Sequence, residues 1–275
     1  MANRGFQNLN MEEYYRLREV LGLNRPFLVQ FAEWFFRVLR GDFGHALRTG
    51  LSINQLMAQR LPISAQLGVA AVALSALIGV PMGILAAMKQ NTRVDYSILS
   101  TFLALSSVPV FVMAPLLMIV LALKLSIAPV GIGWKGLFNA NSTIPVIVLA
   151  IGPTLGIVRL TRMGVIETLT QDYIRTARAV GLSERLVIVR HVLRNALTPV
   201  VTSVGMTLGY LVVGALFVES IFGIPGFGGL MFDGLRSRDY PVLLACTLVS
   251  AFVIMASNLI VDIVYGLLDP RVTYG

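Results

Sequence analysis

Charge is what this sequence has least of. Asp, Glu, Lys and Arg make up 13% of its 275 residues and 56% are hydrophobic, whereas a soluble domain carries about 25% charge. So little polar surface cannot cover a globule in water, which excludes an ordinary soluble domain. Cysteine is nearly absent. The single Cys246 rules out an intrachain disulfide and a thiolate cluster, and its place in an apolar run reads as packing. Two histidines, His45 and His191, stand too far apart for metal-ligand spacing. No Walker A loop occurs, so the chain has no nucleotide site of that kind. No short apolar run with a basic start and a small-residue cleavage site marks a secretory signal.

The charges that are present are clustered. Five intervals hold none: Arg60 to Lys89, Asp95 to Lys124, Lys135 to Arg159, Arg194 to Glu219, and Asp239 to Asp262. Each exceeds the roughly 20 residues a helix needs to cross about 30 Å of hydrocarbon. The sequence therefore reads as an all-α, polytopic membrane bundle with five spans, at about 61–88, 97–123, 137–158, 196–218 and 241–264. The net charge of +8 fits basic loops of a membrane protein rather than nucleic acid.

The loop at 159–195 carries Arg159, Arg162, Arg175, Arg178, Arg185, Arg190 and Arg194 against Glu167, Asp172 and Glu184. Placing it in the cytoplasm makes the remaining loops alternate consistently. The tail 269–275 then lies inside and residues 1–60 lie outside. Within that outer segment Gln30, Glu33, Arg37 and Arg40 recur at helical spacing among Phe27, Leu28, Phe31, Trp34, Phe35, Val38 and Leu39. This is an aromatic-rich amphipathic helix, suited to a membrane surface or to packing against other spans.

Gly79 and Gly83, Gly152 and Gly156, and Gly205 and Gly209 each place two small residues on one helix face, which suits close packing of spans. Pro81, Pro109, Pro115, Pro153 and Pro199 are candidate bends. Asn258 and Asp262, four apart near the inner end of the last span, are candidates to line a polar path; a hydrated anchor is the plainer reading of Asp262. Glu219 reads as a solvated residue opening an outer loop.

The informative stretch is Asp172-Tyr173-Ile174-Arg175-Thr176-Ala177-Arg178-Ala179-Val180-Gly181-Leu182-Ser183. It reads as a short helix stopped by Gly181 in a left-handed position, with Ser183 capping a second helix that runs to Asn195. Ala177 would let a partner surface approach closely, and Arg175 and Arg178 would meet acidic groups. A helix with its own stop signal points to docking rather than to a merely solvated basic loop.

At these residues the chain resembles the inner-membrane permeases of ATP-binding-cassette importers. Their cytoplasmic signature is Glu-Ala-Ala, three residues, Gly, nine residues, Ile-x-Leu-Pro. Ala177, Gly181 and Leu193 fit it, and Arg175 departs from it. The departures are similar to the dipeptide, oligopeptide and nickel branch, in Asp172–Leu182 and in Arg194-Asn195-Ala196-Leu197-Thr198-Pro199. Further agreement comes from Leu39–Gly44, Glu219–Gly228, Arg238–Pro241 and Asp269–Gly275.

The resemblance implies a type I importer fold and a non-enzymatic transport subunit that binds no cofactor itself. ATP and Mg would sit on separate ATPase subunits docked at Asp172–Ser183. A second homologous permease, a periplasmic or lipoprotein binding protein and membrane lipid would be the other partners, with no nucleic acid. Peptides are the expected cargo, with nickel, glutathione or another small solute as the alternative. A membrane-embedded enzyme is the rival from another class, and it would require paired polar or metal-binding residues within spans. Because that branch begins with a further apolar span, the reading expects a first span to be missing ahead of this sequence, with a genuine five-span form as the alternative.

Overall fold

The computed structural model describes residues 24–268. Among them helices form throughout and the only strand-like pairing is an isolated bridge between His45 and Ser52. Three helices are long and apolar enough to cross a membrane: α2 (Ile53–Met88), α5 (Thr143–Leu169, within the apolar stretch Ala140–Leu169) and α10 (Tyr240–Leu268, apolar over Tyr240–Ile263). Two bent pairs pass the same test, α3 (Arg93–Ser106) with α4 (Val110–Leu117, continued in wider turns to Lys124), and α7 (Thr198–Gly214) with α8 (Leu216–Phe222). Counting each pair as one gives five spans. Among the described residues the other helices of eight residues or more are α1 (Phe27–Leu39), the short α6 (Asp172–Ala179) and α9 (Phe227–Ser237). The end carrying the arginine-rich loop is called inner below and the opposite end outer.

Glycine sets how closely the long helices approach. A Cβ at Gly79 would stand 2.7 Å from Ile157 Cγ2, and one at Gly83 2.6 Å from Thr161 Cβ, so α2 and α5 touch along this seam. Ser75 crosses the same seam, donating its hydroxyl to the Ala150 carbonyl at 2.9 Å. Gly205 and Gly209 of α7 meet Val261 and Ser257 of α10 in the same way. Both pairs serve ordinary packing, in which small residues let backbones approach. Gly152 and Gly156 of α5 differ, because nothing lies within 4 Å of a Cβ at either.

Three apolar clusters stack along the bundle. The central one gathers Leu67, Ala71, Ile144, Val148, Val218 and Phe222. The outer one joins Ile53 and Met57 to Phe227, Leu230, Val242 and Ala245. The inner one joins Ala87, Val165, Ile174, Ala177, Val187 and Val192.

Several features depart from the sequence reading. The expected second span is not straight, because α3 and α4 meet at 100°. Pro109 takes extended angles, φ −56 and ψ 144, and lacks the N–H that would continue the helix, so the chain turns there. Pro81 and Pro153, by contrast, lie inside α2 and α5 without ending them. The α2 helix begins at Ile53, ahead of the expected residue 61, and spans about 54 Å at 1.5 Å per residue. Glu219 is not solvated; it is fully buried. The tail 269–275 lies outside the described residues.

Candidate functional site

The short helix α6 runs from Asp172 to Ala179, as its sequence suggested, and Gly181 follows it with φ +85. The Gly181 N–H donates to the Arg178 carbonyl at 3.0 Å and the Leu182 N–H to the Ala177 carbonyl at 3.3 Å. This is the paired bonding of a Schellman stop, with Leu182 packing back toward Ala177 in the inner cluster. Ser183 has the extended angles of a capping residue, but its side chain makes no capping bond. The second helix is also not uniform. It runs Glu184–Leu186, widens into π turns over Val187–Val192 and returns to α geometry at Leu193–Ala196.

Burial divides α6 cleanly. Ile174 is wholly buried and Ala177 is 9% exposed, and both pack in the inner cluster with Ala87 of α2 and Val165 of α5. Ala177 is therefore not the approach surface the sequence reading assigned to it; its small side chain lets α6 lie flat on the bundle. The outward face carries Asp172, Tyr173, Arg175, Thr176, Arg178 and the apolar Val180. The two arginines are engaged within the chain: Arg175 reaches Asp172 at 3.3 Å, and Arg178 donates from Nε and Nη2 to both oxygens of Glu184, at 3.1 and 2.6 Å. The guanidinium beside Glu184 holds that carboxyl below the usual carboxylate range, and Arg178 is raised in turn. The Tyr173 hydroxyl accepts a bond from Asn195 Nδ2 at 2.7 Å, tying α6 to the end of the following helix.

Two polar ties escaped the sequence reading. At the inner end Arg162 of α5 grips Asp95 of α3 in a fork, Nε to Oδ1 at 2.7 Å and Nη2 to Oδ2 at 2.6 Å. The Asn91 N–H adds a third bond to Asp95 at 2.9 Å. The Asp95 side chain is 1% exposed and that of Arg162 20%. The sequence signal was present in outline, since Asp95 opens one charge-free run and Arg162 lies one turn past the Arg159 that closes another.

At the outer end Glu219 Oε1 accepts from the Ser64 hydroxyl at 2.5 Å and Oε2 from the Gly229 N–H at 2.7 Å. Ser64 Oγ in turn accepts from the Phe227 N–H at 2.7 Å. The carboxyl thus caps the N-terminus of α9 from a different helix, where the free amides and the helix dipole favour it. Gly226 is obligatory here, because a Cβ would collide with the Glu219 carboxyl. The glycines that follow Glu219 were the visible clue.

Also at the outer end, Asp239 accepts from the backbone N–H of Arg48 at 3.1 Å and of Val242 at 3.5 Å, clamping the 46–52 turn to the start of α10. The path candidates lie elsewhere: Asn258 is half-buried and Asp262 exposed, both on α10. Among the described residues no three His, Cys, Asp or Glu side chains converge on a metal-sized site.

The geometry is that of a helical membrane subunit with a stopped, outward-facing helix at one end, the class of a transport permease. Residues 79–274 match the family described as binding-protein-dependent transport system inner membrane component, and the chain belongs to it. Among its relatives is the oligopeptide transport system permease protein OppB of Salmonella typhimurium, 38% identical over 92% of this chain and 82% of that protein. Another is the dipeptide transport system permease protein DppB of Bacillus subtilis, 36% identical over 96% of this chain and 83% of that one. In structure the fold is similar to a chain of the inward-facing MetNI methionine ABC transporter, with a TM-score of 0.61 and 16% identity, covering 76% of this chain and 96% of that one.

Proposed function

We propose that this permease subunit carries peptides across the bacterial inner membrane, powered by separate ATPase subunits that engage α6. The observation that carries the reading is the division of α6 into a face buried on the bundle and a face of Tyr173, Arg175, Thr176, Arg178 and Val180 turned outward. A push on that face passes through Ile174 and Ala177 into the inner ends of α2 and α5. These two helices are locked at Gly79 and Gly83, so they move together, and Arg162 extends the motion to α3 through Asp95.

In this reading ATP and Mg belong to the partner ATPases and this chain holds no cofactor. A second homologous permease completes the path, with Asn258 and Asp262 of α10 contributing polar groups to it. A periplasmic or lipoprotein binding protein delivers the cargo. Peptide cargo is supported by the relatives named for peptide transport.

Cysteine at Thr176 tests the docking directly. It should cross-link to a co-expressed ATPase subunit, and ATP should change the yield. No cross-link from Thr176 or Val180 would remove the docking assignment. Cysteines at Ser183 and Asn141 should label from opposite sides of the membrane, Ser183 from the cytoplasm alone. The cargo is tested separately, by identifying what the cognate binding protein retains.

A further inference from the structure

Among the described residues the first helix, α1, is tied to the fold at one end and fully buried nowhere along its length. It has no buried residue; Phe27 is 75% exposed and Leu28 77%. Phe27, Phe31 and Phe35 form a stacked row with centroids 6.3 and 6.0 Å apart, and Trp34 lies 5.9 Å from Phe31. At 100° per residue the polar side chains Gln30, Glu33, Arg37 and Arg40 fall in one narrow stripe, and the aromatic row lies across the helix from it. Glu33 is paired with Arg25, which leaves the stripe net basic through Arg37 and Arg40.

The position of α1 is fixed by its far end. Asn54, in the first turn of α2, donates to the Gly41 carbonyl and accepts from the Phe43 N–H at 3.0 Å. The C-terminus of α1 is therefore held within a few residues of the outer end of a membrane-crossing helix. With 13 residues it is about 20 Å long, too short to cross. A helix tethered at the outer end with an aromatic face and a basic stripe has the composition of one lying along the bilayer–water boundary.

We infer that α1 lies in the outer leaflet surface, its aromatic face among acyl chains and Arg37 and Arg40 on phospholipid phosphates. It thereby anchors the 41–52 turn, which Asp239 clamps to the start of α10. The inference does not depend on the cargo or on docking at α6.

The chain contains two tryptophans, so Trp134→Phe leaves Trp34 as sole reporter. The variant is reconstituted in bilayers of zwitterionic and anionic phospholipid, some brominated near the headgroup and some deep in the chain. Trp34 emission should be quenched about twofold more by shallow than by deep bromine, with little quenching by aqueous acrylamide. Arg37→Glu with Arg40→Glu should reduce the bromine quenching, most in anionic bilayers. If Trp134→Phe does not fold, the difference between the unsubstituted chain and Trp34→Phe gives the same reading. Strong acrylamide and weak bromine quenching would place the helix in water and overturn the proposal. Protection from both would show a protein partner over it and overturn the proposal equally.

Discussion

The inner and outer ends of this bundle tie their helices together in opposite ways. At the inner end two residues of opposite charge, Asp95 and Arg162, meet in a fork, and a fifth of the Arg162 side chain is exposed. At the outer end a fully buried carboxyl is held by a neutral hydroxyl and a backbone amide. A fork with one partner partly exposed can part at that side as the helices shift. A carboxyl inside an apolar cluster has no such exit, because leaving its donors strands it and them together. The contrast assigns motion to the inner end, where α6 is docked by only two buried side chains, and fixity to the outer end.

The largest test of that contrast is Asp95→Ala. The carboxylate accepts two bonds from Arg162 and one from the Asn91 N–H, and losing these bonds to a charged group should cost about 3–4 kcal/mol in all, read as a fall in thermal unfolding temperature of the purified protein. Asp95→Ala with Arg162→Ala should recover part of the loss, and a double variant no better than the single would mean the pair is not the tie described. Glu219→Ala comes next. It leaves Ser64 and the Gly229 N–H without an acceptor and should cost about 3 kcal/mol, whereas Glu219→Gln retains one carbonyl and should cost less. If Glu219→Ala instead left stability intact and abolished uptake, the outer end would be the moving part.

Gly181→Val follows in size. At φ +85 a β-branched residue is strained by about 1–2 kcal/mol. The membrane level of the protein should hold while uptake falls, as measured by transport into whole cells; unchanged uptake would separate the Schellman stop from coupling.

The smallest effect concerns Arg178 and Glu184. The Glu184 carboxyl is lowered by its hydrogen bonds from Arg178. Its contribution is therefore complete above the ordinary glutamate value of about 4.3 and is lost as pH falls below it. Both side chains are more than two-fifths exposed, which limits the effect to under about 1 kcal/mol. Proteolytic nicking near residue 182 should rise on acidification or added salt, and Glu184→Gln should remove the pH dependence.

What the sequence disclosed was local. Charge-free runs marked the spans because a helix must bury its own backbone in lipid whatever its neighbours are. Gly181 was legible because a left-handed stop depends on a few adjacent residues. The 100° turn at Pro109 was half legible: the same residue type passes straight through α2 at Pro81, and only packing decides between the two outcomes. Ala177 and Glu219 were misread because burial is a property of distant segments. Small size at Ala177 fits a partner surface as well as the inner cluster. Glu219 resembles any polar residue at a span's end until Ser64 and the α9 amides surround it. The Asp95–Arg162 fork joins two loops that each looked merely basic or mixed.

The buried Glu219 relay also has a consequence for biosynthesis. Ser64 and Glu219 are 155 residues apart, and Asp95 and Arg162 are 67 apart. At about 5–20 residues per second a ribosome makes Arg162 about 3–13 s after Asp95, but Glu219 about 8–30 s after Ser64. The inner end can close while the chain is still being made, and the outer end cannot until α9 has followed. For that interval Ser64 waits in a newly inserted helix without its acceptor. The nascent permease is thus latched from the inside outward, and an insertion pause between α5 and α8 would catch it with its outer end unlatched.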